Sequence, residues 1–338
     1  LVSKTGNLEI SGNLTNNGSL TLDSDSNEFS SLIVNGNASG NVTYNRYVNE
    51  ISTSNSANNG NDLVAAPVDG QSIEDFVTAN SNLSQNGGNT EVAFAIFNNN
   101  SGNFENYAPD SNDLLETGKG YRAATDNGST IIFNGSVLTT DKNVVITQGT
   151  TRNWNLIGNP YSSYLDTDAF LTANSSNLRP TYVAVYGYDA DNSGTGIWTI
   201  LDSNTSPNAL ISPGQGFFVA SPSSGSTAVF TSNMRTTGSD DDFIAGRNTP
   251  SDANFARAML NLDTASTSYL TNFYFRDFNT VGLDPGYDTG AYDQSTDGIF
   301  SHLVADNTGV ALANQSLPYA NLSDQRVPLV VNANARDQ

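Results

Sequence analysis

The feature that most restricts the fold of this chain is a tandem duplication. An apolar run ending at a proline occurs at Leu63–Pro67 and again at Leu156–Pro160. More matches follow in the same order at a near-constant separation. Residues 98–104, NNNSGNF, match 190–198, ADNSGTGIW. Residues 116–125, ETGKGYRAAT, match 212–221, SPGQGFFVAS, and 129–140, STIIFNGSVLTT, match 226–237, STAVFTSNMRTT. Ordered blocks of this kind are hard to produce by chance. The chain therefore reads as two copies of one β-rich unit, over 50–145 and 146–238. Gly118 and Gly214, Gly120 and Gly216, and Phe133 and Phe230 are expected at equivalent places. Proline cannot donate a ladder hydrogen bond, so it closes the strand before it. Residues 72–80 and 164–174 place Ser or Asp ahead of apolar positions, the pattern of a helix N-cap. Tandem units of this kind suggest a modular rod.

Two flanking regions complete the expected architecture. Gly6-Asn7-Leu8, Gly12-Asn13-Leu14 and Gly18-Ser19-Leu20 recur every six residues. Over residues 1–49 that pattern fits either the rungs of a β-solenoid or a pair of hairpins. Residues 255–338 hold strand-like runs separated by acidic turns and read as an antiparallel β-sandwich. The fold class expected is mainly β: a short N-terminal solenoid-like or hairpin segment, two repeated units and a C-terminal sandwich. Composition agrees, since only 14% of residues are charged and Asn, Ser, Thr and Gly supply the polar remainder. That balance suits short strands and turns rather than helices.

Charge removes whole classes of function. The net charge of −21 repels phosphates, so no nucleic-acid partner is expected. An anionic membrane surface is disfavoured for the same reason. There is no cysteine, hence no disulfide or thiolate chemistry. No run of about 18 apolar residues offers a membrane span. The opening LVSKTGNLEI lacks the shape of a signal peptide, so the chain is taken to start at a mature or truncated end.

At WNLIGNPYSSYLD (154–166), GQGFFVA (214–220) and GLDPGYDTGAYD (282–293) the chain resembles large secreted surface proteins of Bacteroidetes, flavobacteria above all. Those proteins leave the cell by the type IX secretion system. The likeness covers roughly residues 8–338 and corresponds to the region upstream of their sorting domain. It implies an extracellular or cell-surface location. It implies no reaction.

Candidate chemistry is sparse. The lone histidine, His302, has no Gly-x-Ser-x-Gly elbow beside it and reads as a strand residue. Gly118-Lys119-Gly120 and Gly214-Gln215-Gly216 lack the context of phosphate loops and read as bends before a strand. No enzyme is expected. Calcium is the one cofactor suggested, at two acidic turns. Asp189, Asp191 and Ser193 have the oxygen spacing of the first half of a calcium loop, with Ile200 where a bidentate glutamate is needed. Asp284, Asp288 and Asp293 form the second set. A plain acidic turn competes with each. Trp198, just after a polar hairpin, is the candidate ring for stacking on a sugar, whereas Trp154 reads as core. Asp263-Thr264-Ala265 resembles the Bacteroidetes O-glycosylation motif and marks Thr264.

The function expected is a non-enzymatic structural or adhesive module of a secreted bacterial surface protein. Its partners would be neighbouring copies or other surface proteins, and strand donation by residues 1–10 would build a fibre. A carbohydrate-binding module, with polysaccharide as partner, is the alternative. A secreted hydrolase has the least support.

Overall fold

The structure is a computed structural model that describes residues 2–51, 60–189, 197–239, 241, 254–263, 268–292 and 297–332. Parallel pairing dominates the first 48 residues. β1 (Asn7–Ile10), β2 (Leu14–Thr15) and β3 (Thr21–Leu22) make one coil; β4 (Ser31–Val34), β5 (Ala38–Ser39) and β6 (Val42–Val48) make the next. Asn7 lies opposite Ser31, Leu14 opposite Ala38 and Thr21 opposite Thr43, all in parallel register. This is a β-solenoid, not hairpins. The six-residue repeat marks the strands within one coil rather than the coil itself. Leu8, Leu14 and Leu20 pack inward against Leu22, Leu32, Val42 and Tyr44. Residues 2–10 are part of this stack, since Val2 also bridges to Leu22. The segment expected to leave as a donor strand is a rung of its own solenoid.

Unit 1 continues with β7 (Asp62–Ala65), α1 (Ile73–Ala79), β8 (Phe94–Asn98), β9 (Asn103–Asn106), β10 (Gly120–Ala123) and β11 (Ser129–Gly135). Unit 2 comprises β12 (Lys142–Ile146), β13 (Trp154–Gly158), β14 (Tyr164–Asp166), α2 (Thr167–Asn174), β15 (Val185–Asp189) and β16 (Ile197–Leu201). It ends with β17 (Leu210–Ile211), β18 (Gly216–Ala220), β19 (Ser226–Phe230) and β20 (Arg235–Thr236). The main sheets run β7-β10-β8-β9 and β13-β18-β15-β16, one order written twice. β6 pairs with β11 as β12 pairs with β19. The repeat thus starts one strand earlier than the sequence blocks indicated, and β6 belongs to both the solenoid and unit 1.

Local chemistry is duplicated too. Ser72 caps α1 by accepting from Asp75 N, and Asp166 caps α2 by accepting from Ala169 N. Asn80, at the end of α1, donates to Phe76 O and Ile132 O and accepts from Ile132 N. Asn174 does the same with Phe170 O, Val229 O and Val229 N. Each buried amide clamps a helix to the strand beside it and leaves no backbone group of that strand unpaired there.

The two units face each other. Ala65 N donates to Gly214 O, and Gly158 N to Gly118 O. Val64 bridges Gln215 while Lys119 bridges Ile157. Each contact has its mirror between equivalent residues, the pattern of a two-fold, isologous interface. Tandem copies arranged this way close on each other, and the head-to-tail rod expected from the repeat does not form within the chain. Gly120 and Gly216 allow the approach. A Cβ on Gly120 would lie 2.6 Å from Ile157 O, and one on Gly216 2.7 Å from Val64 O.

The C-terminal region adds β21 (Phe255–Asp263), β22 (Ser268–Arg276), β23 (Thr289–Gly290), β24 (Gly298–Ser301), β25 (Leu312–Pro318) and β26 (Leu329–Asn332). These form one sheet, β21-β22-β25-β24-β26, with β23 on β25. Its pairs are antiparallel except β22–β25. Phe273, Phe275 and Leu317 form a small apolar cluster under Val304, Tyr319 and Val327. The junction with unit 2 joins aromatic packing of Tyr292 to a buried polar cluster, in which Asp202 Oδ2 accepts from Thr289 Oγ1 and Asn314 Nδ2, each at 2.8 Å.

Candidate functional site

Alternation along the strands of unit 2 sends its rings to two sides. Phe217 and Val219 enter the unit's own core with Phe170 and Phe230. Phe218 and Ala220 point the other way, into a cluster with Trp154, Leu156, Tyr186, Tyr188 and Leu63 of unit 1. This cluster is the apolar filling between the two facing sheets. Trp154 is buried there, as expected for a core residue.

At its rim the cluster opens into a pocket of about 150 Å³ lined by Asn61, Leu63, Phe104, Arg122, Tyr188, Trp198, Phe218 and Tyr292. That volume matches a cavity able to hold one six-membered ring. Trp198 keeps 36% of its surface exposed. Its ring lies flat on Tyr292, with centroids 3.9 Å apart and planes 17° apart. Tyr188, directly opposite Trp198 in the β15–β16 register, supports it at 5.2 Å. Phe97 and Phe104 form the corresponding cross-strand pair in unit 1, 5.3 Å apart.

Arg122 supplies the pocket's charge. Its guanidinium sits 4.4 Å over Phe104, and Nη2 donates to Asn106 Oδ1 at 3.3 Å. Among the described residues no carboxylate pairs with it. Burial lowers its pKa, yet a guanidinium stays protonated in proteins. An arginine with no counter-ion among the described residues, in a chain of net charge −21, is therefore held at the mouth of an aromatic pocket.

The sequence singled out Trp198 and missed Arg122, Phe104 and Tyr292. The duplication held a signal for the first two. Aligning NNNSGNF with ADNSGTGIW puts Phe104 on Trp198, and aligning GYR with GFF puts Arg122 on Phe218. Tyr292 comes from the C-terminal region, and nothing in the repeat points to it.

In the second acidic turn, Asp284 and Asp288 accept hydrogen bonds from the protein. Asp284 accepts from Thr280 N, Thr280 Oγ1 and Asn279 Nδ2. Asp288 accepts from Asp284 N at 2.6 Å and Ser316 N at 2.7 Å. All four oxygens of this pair thus receive a protein donor and tie the turn to β25. Burial raises the Asp288 pKa to about 7, and the charges of Asp284 and Asp202 act in the same direction. Burial also raises the pKa of Asp202. Asp191, Ser193, Asp293 and Thr264 lie outside the described residues, as does the side chain of Asp189. Among the described residues no group of three or more acidic, His or Cys side chains is placed to hold a metal ion. His302 follows β24, and its Nδ1 lies 3.2 Å from Asn307 Nδ2.

The comparisons with known proteins give a family and no more. The family described as "Domain of unknown function (DUF8693)" matches residues 1–338. The chain belongs to this family. No curated protein and no solved structure matched the chain.

Proposed function

We propose that the chain is an adhesive module of a secreted bacterial surface protein, and that the pocket at Trp198 grips one sugar ring of an extracellular glycan. The observation that carries this reading is the flat Trp198–Tyr292 pair beside Arg122, in a pocket whose lining holds no carboxylate among the described residues. Rings stack on the apolar faces of sugars, and an amide and a guanidinium orient their oxygens. A glycosidase would need paired carboxylates at the bound ring. Arg122, with no carboxylate partner among the described residues, narrows the ligand to a sugar acid, because a bidentate guanidinium–carboxylate contact is strong and directional. The resemblance to type IX secretion cargo supports the surface location.

Calorimetric titration with oligogalacturonate and with cello-oligosaccharides tests this. Saturable binding of the acidic oligomer is expected, lost in Trp198→Ala. Arg122→Gln should remove the preference for the acidic oligomer. Failure of both oligomers to bind, or binding untouched by Trp198→Ala, overturns the reading.

A further inference from the structure

Two grooves related by the approximate two-fold are filled differently. The first lies along β6, against residues 162–164 and Gln215 of unit 2. Residues 20–34, which run from the end of the first solenoid coil into the second, fill it. Leu32 N donates to Ser162 O at 2.6 Å, and Tyr164 Oη to Phe29 O at 3.1 Å. Arg46 lies 4.1 Å over the buried Phe29 ring and donates to Gln215 Oε1 at 2.7 Å. The outer edge of β6 is served as well: Thr43 N donates to Leu20 O, Tyr47 N to Ser24 Oγ, and Ser24 Oγ to Asn45 O.

The equivalent groove lies along β12, against Asp69 and residues 114–119 of unit 1. The equivalence rests on register. Phe133 faces Tyr44 as Phe230 faces Lys142, and Thr130 faces Tyr47 as Thr227 faces Val145. Both grooves also meet the inter-unit contact, at Gln215 in one and Lys119 in the other. Among the described residues nothing is seated here. A cavity of about 610 Å³ remains, bordered by four consecutive β12 residues, Lys142–Val145. Four in a row border it only if the strand's free edge, rather than one face, looks into it. Among the described residues β12 pairs with β19 alone, so by analogy with Tyr47 the Val145 N–H points into the groove. Val145 is 74% and Leu114 61% exposed, an unusual pair of bare apolar side chains on one cavity.

The twin groove and the charge of the lining indicate the occupant. Two of the chain's three lysines, Lys119 and Lys142, line this groove together with Asp69 and Glu116, so the lining is balanced in a chain of net charge −21. Lys119 is paired with Glu116 at 2.9 Å; among the described residues Lys142 has no carboxylate partner. Elsewhere the excess of acid repels an acidic chain. The segment that fills the first groove, residues 20–34, carries Asp23, Asp25 and Glu28 together with apolar Leu22, Phe29 and Leu32.

We propose that the open groove along β12 is a docking site for an extended, acidic β-strand of another polypeptide, which adds to the free edge of β12 as the solenoid adds to β6. Edge addition gives affinity through main-chain hydrogen bonds, and alternate side chains then enter the cavity.

The test is fluorescence anisotropy of a labelled peptide with the sequence of residues 20–34, titrated with the full chain. Saturable binding is expected, and a scrambled peptide of the same composition should not bind. Val145→Pro removes the N–H aimed at the groove without touching the β19 ladder, and should weaken binding at least ten-fold. Leu114→Asp lies on an exposed loop where folding is not at stake, and should do the same. Trp198→Ala should leave it unchanged, which separates this site from the aromatic pocket. Self-association in sedimentation that Leu114→Asp abolishes would support the proposal, with a second copy as donor. Absence of saturable binding, equal binding by the scrambled peptide or by Leu114→Asp, or displacement of the peptide by oligogalacturonate overturns it.

Discussion

Units 1 and 2 share strand order, helix caps and asparagine clamps, yet they differ in what surrounds them. Unit 1 has a solenoid on the outer edge of β6, and Phe29 is buried in the groove beside it. Among the described residues unit 2 has a bare edge at β12 and a cavity at the same place. In exchange, unit 2 carries the C-terminal sheet, through buried polar contacts at Asp202 and Asn204. One fold thus acquired different neighbours through its flanking sequence. A duplicated unit keeps its internal contacts, while the surfaces not used internally are free to specialise.

The largest effect should come from emptying the filled groove. Phe29→Ala removes a ring that is 1% exposed and should cost about 4 kcal/mol. Val145→Ser, on the open groove, should stay within about 0.5 kcal/mol. Denaturant midpoints of both variants measure the asymmetry, and similar losses would mean that the two grooves are not distinguished by occupancy.

Next come the glycines at the two-fold contact. Gly120→Ala and Gly216→Ala each drive a methyl into a backbone carbonyl and should each cost about 3 kcal/mol. Their losses should agree, because the contacts are mirror images. A neutral result at one position would break the two-fold description.

The asparagine clamps rank third. Asn80→Ala and Asn174→Ala each orphan a buried N–H and C=O, at about 2 kcal/mol apiece. Melting temperatures of the two variants check that the units are equally dependent on this residue.

The smallest effect is specific to the junction between unit 2 and the C-terminal sheet. The raised pKa values of Asp288 and Asp202 mean that the folded state holds protons which the unfolded chain releases near the ordinary carboxylate pKa. This contribution is fully present below about pH 4 and is lost as pH rises through about 7. The melting temperature should therefore fall between pH 5 and pH 8. Asp202→Asn should move the Asp288 midpoint down, because one repelling charge is gone; carboxyl NMR titration reads it. An unshifted midpoint would show that burial alone holds Asp288.

Much of this could be read from particular residues. Gly118 and Gly214 both take positive φ, +87° and +69°, as matching blocks predict for matching turns. Ser72 and Asp166 cap helices because a side-chain acceptor ahead of an apolar stripe is a local signal. The solenoid was legible only as one of two readings. A six-residue spacing reports strands and corners, whereas the coil depends on Asn7 meeting Ser31, a contact between distant positions. The parallel β22–β25 pair escaped for the same reason, as it needs a crossover that no local pattern encodes.

The sequence by itself determined the β class, the duplication, the helix starts and the division of its tryptophans into buried Trp154 and exposed Trp198. These follow from composition, periodicity and capping, which act over a few residues. Only the tertiary structure decided that the copies face each other, that Arg122 and Tyr292 join Trp198, and that one groove is filled while its twin is open. Each of these depends on which surfaces meet across the chain. Packing of complementary shapes at long range settles that, and the order of residues along a strand does not report it.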